Sequence, residues 1–528
     1  MPTIAPAAAT TTKPLDLPPL LFWLGIVGVF AGSLALRFWG LSRFNTLVFD
    51  EVYYARFAGH FLKQELIFTG HPPLSTYIIA IGIWLGEHLP WSAEGARNGL
   101  SGLYLSPFSY RWLNALSGSL IPLMVAGIAY QLSRRRSYAL VAAILMAADG
   151  LYLVESRYAL NNIYLVIFGL LGNLCFLQAL RSRGWGQWLW LGAAGVGFGA
   201  SAAIKWNGLG FLLAAYGVWL AGWILHWIQK FFRRSPRPLE PKTASEPLTN
   251  RLSERANTRS LTPSLSKFPL QNLTQLHLGH ILICFALIPA FTYYLSWIPY
   301  VQLTEGSSVW ELQLQTLNYH QRVGGLDAHP YCSLWYTWPL MLRPVAYFYQ
   351  TTHGINEPVP VIGPPTIPSA SVVIYDVHAM GNPFLWWFST AAIVLVMGAF
   401  VQYFWRWLTG LQQMRSAGGI WEQTATLSPS GWLILYVLIN WSANLLPWIR
   451  VTRCVFIYHY MVSLVFAILA LAYLVDRWLF HPNRIYRITA IGIVVIVLLA
   501  LAFWLPFYLG LPLSPAELNL RRWLDSWI

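Results

Sequence analysis

The chain has 528 residues, of which 56% are hydrophobic and only 10% charged, with a mean hydropathy of +0.50. A soluble globular domain is roughly one-quarter charged, so this composition excludes one and describes a chain whose main solvent is lipid. The formal net charge of +14 sits in short segments between apolar runs and reads as a topology signal, with no nucleic-acid partner expected.

The 28 Trp and 27 Tyr suit two membrane interfaces, although a sugar or lipid groove would use the same rings. Cys175, Cys284, Cys332 and Cys454 are widely spaced and three lie in or beside apolar runs, so neither a disulfide framework nor a zinc site is expected. The first twenty residues lack a charged region followed by a short apolar core and cleavage site, so the apolar run after them is expected to remain as the first anchor.

At about 20 apolar residues per span, eleven spans are predicted, at 18–38, 111–131, 138–155, 161–180, 188–204, 208–228, 276–298, 384–404, 431–448, 455–475 and 486–508. Each should be a helix, because unpaired backbone cannot face lipid and no run alternates with period two. Basic residues mark one side: Arg134 to Arg136, Arg181, Arg183, the 230–272 linker, Arg406, Arg415, Arg477, Arg484 and Arg487. Placing that side in the cytoplasm puts the N-terminus inside and the segments 39–110 and 299–383 outside. The organisation is thus an N-terminal membrane region over 1–229, a cytoplasmic linker over 230–272 and a C-terminal membrane region over 273–528. The linker is rich in Pro, Ser, Thr and charge and is predicted to be disordered. The short apolar stretch 74–89 reads as an interfacial or re-entrant helix, since a twelfth span would reverse every later loop.

In the first outer segment Asp50 and Glu51 lie close to the expected membrane surface. Partial burial raises a carboxylate pKa and a nearby cation keeps it ionised, which suits a general base; a solvated acidic turn is the plain alternative. His71 enters the apolar stretch through Pro72 and Pro73, an arrangement that by itself is a helix entry. Arg111, Arg157 and Lys205 border the same outer face. Each alone reads as a snorkelling cation, but together they suit an anionic lipid phosphate. The second outer segment mixes Tyr319, His320, His329, Trp335, Tyr336, Trp338 and Arg343, fitting either a sugar or peptide site or an amphipathic helix on the membrane. Arg450 and Arg453 precede Tyr458, His459 and Tyr460, where they either touch lipid phosphate or anchor the helix. No compact metal spacing occurs.

The segments FDEVYYARFAGHFLKQELIFTGHPPL, YRWLNALSGSLIPL, ESRYAL, IKWNGLG, MGNPFLWW and NLLPWIRVTRCVFIYHY together resemble the protein O-mannosyltransferases that use polyprenyl-phosphate mannose. SLWYTWPLMLRPVAYFY resembles the bacterial branch, with no room for a sugar-binding beta-trefoil between the seventh and eighth spans. The resemblance implies an all-α polytopic GT-C glycosyltransferase fold whose first outer segment shapes the active site. It implies Asp50 as base with Glu51 beside it, and Arg37, His71, Arg111 and Lys205 around donor and acceptor. Arg157, Arg343, Arg453 and His459 complete the expected donor-phosphate set. The sequence departs from the family pattern twice. Leu74-Ser75-Thr76 stands where the family has Leu-Gly-Lys after its histidine-proline pair. Asn161-Asn162 stands where the family's Ser-Arg motif ends in Leu-Leu-Asp, which puts a carboxylate role there in doubt.

The expected reaction is inverting transfer of mannose from polyprenyl-phosphate mannose to Ser or Thr hydroxyls of exported proteins, in a multi-pass cell-membrane enzyme with an extracytoplasmic site. No cofactor beyond the lipid-linked donor is expected, and a bound divalent cation is left open; acceptor identity and oligomeric state are not indicated. Two alternatives stand beside it: a GT-C transferase acting on a lipid or polysaccharide, and a polytopic transporter. A transporter favours internal repeats and mid-membrane ionisable residues, whereas this chain gathers its charges at one face.

Overall fold

The structure, a computed structural model, describes residues 16–65, 67–88, 96–233, 265–304, 306–353, 357, 359–362, 372–417 and 427–528. Most of the predicted linker, 234–264, lies outside the described residues.

Helix α1 (Pro19–Phe38) opens the chain, and α2 (Glu51–Leu62) and α3 (Leu74–Glu87) follow in the first long loop. Next come α4 (Pro107–Ser133), α5 (Arg136–Ala147), α6 (Gly150–Arg157), α7 (Asn162–Ala179), α8 (Gly184–Ile204) and α9 (Leu209–Arg233). The second half contains α10 (Leu278–Val301) and then α11 (Val309–Arg322), β1 (Val345–Thr352), β2 (Val373–Ala379) and α12 (Pro383–Ala417). It ends with α13 (Pro429–Leu445), α14 (Met461–Leu479), α15 (Arg484–Leu509), β3 (Pro512–Leu513) and α16 (Pro515–Arg521).

Among the described residues nine helices are long and apolar enough to cross a membrane, and the number is ten when α5 and α6, bent by 61° at their break, are counted as one span. The remaining expected span, 188–204, falls on α8, which has 21 residues but is not among the helices apolar enough to cross a membrane. Its Gly and Ala content lowers its hydropathy because it packs at backbone distance: a Cβ on Gly195 would lie 2.1 Å from the Cys284 carbonyl oxygen, and one on Gly197 would lie 2.8 Å from the Gly172 nitrogen. Small residues are how helices approach one another where lipid supplies no hydrophobic drive. The chain is a multi-pass membrane protein.

Burial separates the helices by role. Only 6% of the apolar window of α1 is buried, against 94% of the window that contains α14. Apolar residues all round a helix mean lipid on its outside in the first case and neighbouring helices in the second. Between α5 and α6 the chain breaks at Asp149, whose carboxylate accepts from the Tyr152 N–H at 2.9 Å and the Trp386 indole at 2.6 Å. At the face opposite the long loops, Arg135 pairs with Asp476 at 2.6 Å.

The two long loops pack together at one end of the bundle, here called the loop face. There α3 is a 14-residue helix, too short to span, and it lies against α4 with the Trp112 indole donating to the Gly82 carbonyl at 2.8 Å. The loops join where the Asn45 N–H meets Pro360 O and the Ile362 N–H meets Arg43 O, both at 2.8 Å.

Two features correct the sequence reading. The fold is not purely helical: β1, β2 and β3 form an antiparallel sheet in that order. The strands escape a periodicity search because β2 is buried along its whole length and so shows no alternation. A disulfide also joins Cys332 to Cys454, with Cα atoms 5.1 Å apart, where none was expected. Backbone bonds from Cys454 N to Gly324 O (2.7 Å) and Ser333 N to Val455 O (2.8 Å) hold the two segments together, while Cys175 and Cys284 remain free and buried.

Candidate active site

Helix α1 ends with carbonyls that have no partner of their own, as every helix does. Arg157 supplies them: its guanidinium donates to Leu36 O at 2.8 Å, Arg37 O at 3.1 Å and Trp39 O at 2.7 Å. Arg111 organises the next stretch with all five of its N–H donors. They reach Leu41 O (3.0 Å), Phe44 O (2.8 Å), Thr46 O (2.8 Å) and both oxygens of Glu51 (2.8 and 2.7 Å). The Glu51 carboxylate is completed by the Val48 and Ala159 N–H groups, each at 2.8 Å. Arg111 and Glu51 are fully buried, so their charges are spent on the loop's skeleton.

What this skeleton presents is Asp50. Phe49, immediately before it, has φ +52°, a left-handed conformation that a bulky residue adopts only under constraint. The constraint is visible: the Phe49 ring stacks on Tyr347 at 4.0 Å with 7° between planes. The partly buried Asp50 carboxylate accepts no hydrogen bond from the described residues. Burial raises its pKa to about 6, with Lys205 pulling the other way.

Lys205 comes from the break between α8 and α9. Its backbone is extended (φ −160°, ψ 141°), the chain then turns through Trp206–Gly208, and Nζ lies 5.1 Å from the centre of the Tyr458 ring. Burial, and Arg453 after it, lower its pKa to about 8 against the opposing pull of Asp50 and Glu155. Arg453, which donates to Cys454 O at 3.1 Å, therefore stands in the same electrostatic cluster, and burial lowers its proton affinity too.

His71 and His320 close another side, ring centres 5.0 Å apart. Gly70, at φ +65°, must be glycine, since a Cβ would sit 2.9 Å from the Tyr319 ring. Burial first, then surrounding cations, push His71 well below its usual range and His320 down to about 4, so both rings are neutral near pH 7. Tyr54 on α2 accepts from the Asn161 amide at 2.7 Å.

Asp50, Lys205, Arg453, His71 and His320 are thus brought together at the loop face, with Tyr54, Tyr319 and Tyr458 between them. Other expected site residues point elsewhere. Arg37 bonds to Ser33 Oγ at 2.7 Å inside the bundle. Arg343 braces its own loop through Pro330 O at 3.0 and 2.6 Å. His459, by contrast, stays beside the cluster: its Nδ1–H donates to Phe456 O at 2.9 Å, its ring stacks on Tyr458 at 4.7 Å, and it lies within electrostatic reach of Lys205, Arg453 and His71. Among the described residues no three His, Cys, Asp or Glu side chains converge as a metal site would require.

Two family models cover nearly all of the chain. Residues 27–297 match the dolichyl-phosphate-mannose-protein mannosyltransferase model, and residues 306–527 match that of the C-terminal four-transmembrane region of protein-O-mannosyltransferase. The chain belongs to this mannosyltransferase family. It is 25% identical to the polyprenol-phosphate-mannose--protein mannosyltransferase of Mycolicibacterium smegmatis over 92% of this chain and 88% of that one. It is 23% identical to the Mycobacterium tuberculosis protein of the same name over 93% and 88%. Its fold matches a chain of the S. cerevisiae protein O-mannosyltransferase Pmt1-Pmt2 complex bound to the sugar donor, with TM-score 0.65 and 13% identity over 97% of this chain and 93% of that one. The shared GT-C fold is therefore established across a wide sequence distance.

In this mannosyltransferase, sequence reasoning missed Glu155 and Tyr347. Glu155 is fully buried on α6 and accepts from the Tyr347 hydroxyl and from the Asn162 amide at 3.3 and 3.2 Å. The available signal was a carboxylate within an apolar span, which is expensive and by default marks function. Tyr347 had no such signal, because its direction comes from a β-bulge: Ala346 pairs with His378 and Phe348 with Val377, leaving Tyr347 as the extra residue.

Proposed function

We propose that this chain transfers mannose from polyprenyl-phosphate mannose to Ser or Thr hydroxyls of exported proteins, with inversion at the anomeric carbon. The observation that carries this reading is Asp50, a carboxylate with no hydrogen bond from the described protein, set in the electrostatic field of Lys205, itself under the influence of Arg453. Asp50 takes the proton of the acceptor hydroxyl as its oxygen forms a bond to C1 of mannose. The bond from C1 to the phosphate oxygen breaks on the opposite side, and polyprenyl phosphate leaves with the electron pair. Lys205 and Arg453 neutralise the charge that grows on that phosphate. The neutral imidazoles of His71 and His320 orient hydroxyls without adding charge. Because the leaving group is already activated, positioning and charge stabilisation account for most of the acceleration.

Two observations support placing the loop face outside the cytoplasm. Short basic connections gather at the opposite face, and the Cys332–Cys454 disulfide lies among the long loops, where an oxidising compartment would allow it to persist. The N-terminus is then cytoplasmic.

The test uses purified protein in detergent with polyprenyl-phosphate mannose and a Ser/Thr-rich peptide, read by mass spectrometry. A hexose mass added by the wild type and absent with Asp50→Asn is the expected result. A product that retains the donor's anomeric configuration would refute direct displacement.

A further inference from the structure

Glu155 makes no direct ion pair with the cations of the site among the described residues. Its side chain is fully buried, and its hydrogen bonds come from Tyr347 and Asn162. A buried carboxylate held only by neutral donors is costly to keep, so its position calls for a use. From Glu155 a chain of contacts runs to the reaction centre. Its oxygen fixes the Tyr347 hydroxyl, the Tyr347 ring lies flat on Phe49 at 4.0 Å, and Phe49 carries the left-handed turn that precedes Asp50.

We propose that Glu155 is a positioning residue for the transfer reaction: through Tyr347 and Phe49 it holds the turn that presents Asp50, and it supplies the site's second negative charge from α6. The inference rests on the mannosyl-transfer reading above. The charge also faces Lys205, the two being within electrostatic reach. The other titratable groups around Glu155 are Asp50, Tyr54, Tyr152, Tyr347 and Tyr458.

The pairing with Asn162 offers a direct test of the charge. Asn162 Nδ2 lies 3.3 and 3.2 Å from the two Glu155 oxygens, so one carboxylate and one amide face each other across a hydrogen bond. A pair that carries one carboxylate and one amide can be inverted without changing its total charge.

The experiment measures peptide mannosylation against pH for wild type, Glu155→Gln, Asn162→Asp with Glu155→Gln, and Tyr347→Phe both alone and with Glu155→Gln, with melting temperature as a check on folding. Glu155→Gln should lower kcat about 100-fold at little change in peptide KM, the scale set by a slight misplacement of reacting groups. It should also move the basic limb of the pH profile down by about one unit, since removing a nearby negative charge makes Lys205 lose its proton more readily. The double variant, which restores the charge at the other member of the pair, should regain at least tenfold of the lost rate. Tyr347→Phe should slow the wild type but leave Glu155→Gln no slower than before. A folded Glu155→Gln protein with wild-type kcat and an unmoved basic limb overturns the proposal. So does a double variant that melts like the wild type yet recovers no rate. A wild type that leaves the peptide unmodified refutes instead the transfer reading on which the proposal depends.

Discussion

Arg111 and Glu51 meet in a fully buried, bidentate ion pair whose remaining donors and acceptors are all taken up by the backbone of the first long loop and of Ala159. Although Glu51 adjoins Asp50 in the sequence, it is folded inward against α4 and the start of α7, whereas Asp50 faces the cations. Adjacent carboxylates thus do separate work because a helix start turns consecutive side chains in different directions.

Glu51→Ala should therefore act on folding before chemistry. Removing one partner of a buried pair leaves the other charge uncompensated, at a cost of about 3–5 kcal/mol, and also frees the Val48 and Ala159 N–H groups. The variant should give little monodisperse protein in detergent and a much lower melting temperature. A Glu51→Ala protein that melts like the wild type but is inactive would place Glu51 in the chemistry.

Asp50→Asn should behave in the opposite way. The folded pKa of Asp50, about 6, lies above the ordinary value near 3.9, so the folded state favours its protonated form. Its contribution to stability is present below about pH 4 and is lost as pH rises through about 6. At pH 8 the neutral amide should thus melt no lower than the wild type, while transfer is abolished. In the wild type the rate should fall as pH drops through about 6, because the base becomes protonated. An acidic limb unchanged in a slow but active Asp50→Asn protein would assign that limb to another group.

Arg453 lowers the proton affinity of Lys205, and an anion bound between the two cations would relieve that repulsion. Lys205→Met should raise donor KM by about 10- to 100-fold, the worth of a charge-assisted hydrogen bond, and should remove the basic limb near pH 8 that follows from its lowered pKa. Unaltered donor KM in a folded Lys205→Met protein would remove Lys205 from the phosphate site.

The membrane spans were legible in the sequence because hydropathy over a span is a local property, and even the short α3 was recognisable from its length. The family motifs likewise brought Asp50, His71 and Lys205 forward. What failed was the direction of the arginines. A guanidinium satisfies a lipid phosphate or a set of helix-end carbonyls equally well, so Arg111 and Arg157 at an outer helix end read the same in either role until Leu36, Thr46 and their neighbours are placed in space. Tyr347 owes its orientation to one register shift between β1 and β2, which no local pattern records. The cysteine pairing was half available: the predicted topology put Cys332 and Cys454 on one side, but their closeness depends on backbone contacts between segments 122 residues apart.

That disulfide also makes a prediction about the site, because Arg453 is the residue before Cys454. Opening a long closed loop typically costs about 2–5 kcal/mol, so Cys332→Ser with Cys454→Ser should lower the melting temperature by several degrees. The segment that carries Arg453 would then be held to the second loop only by the backbone bonds to Gly324 and Ser333, and donor KM should rise along with the loss of stability. Dithiothreitol should reproduce both changes in the wild type and do nothing further to the double variant, which separates reduction of this bond from general effects of the reagent. If Cys332 and Cys454 in freshly purified wild type alkylate without prior reduction, the bond is absent and the loss of stability has another origin. If the bond is present and its reduction lowers stability but leaves donor KM unchanged, the backbone contacts alone suffice to hold Arg453 in the cluster.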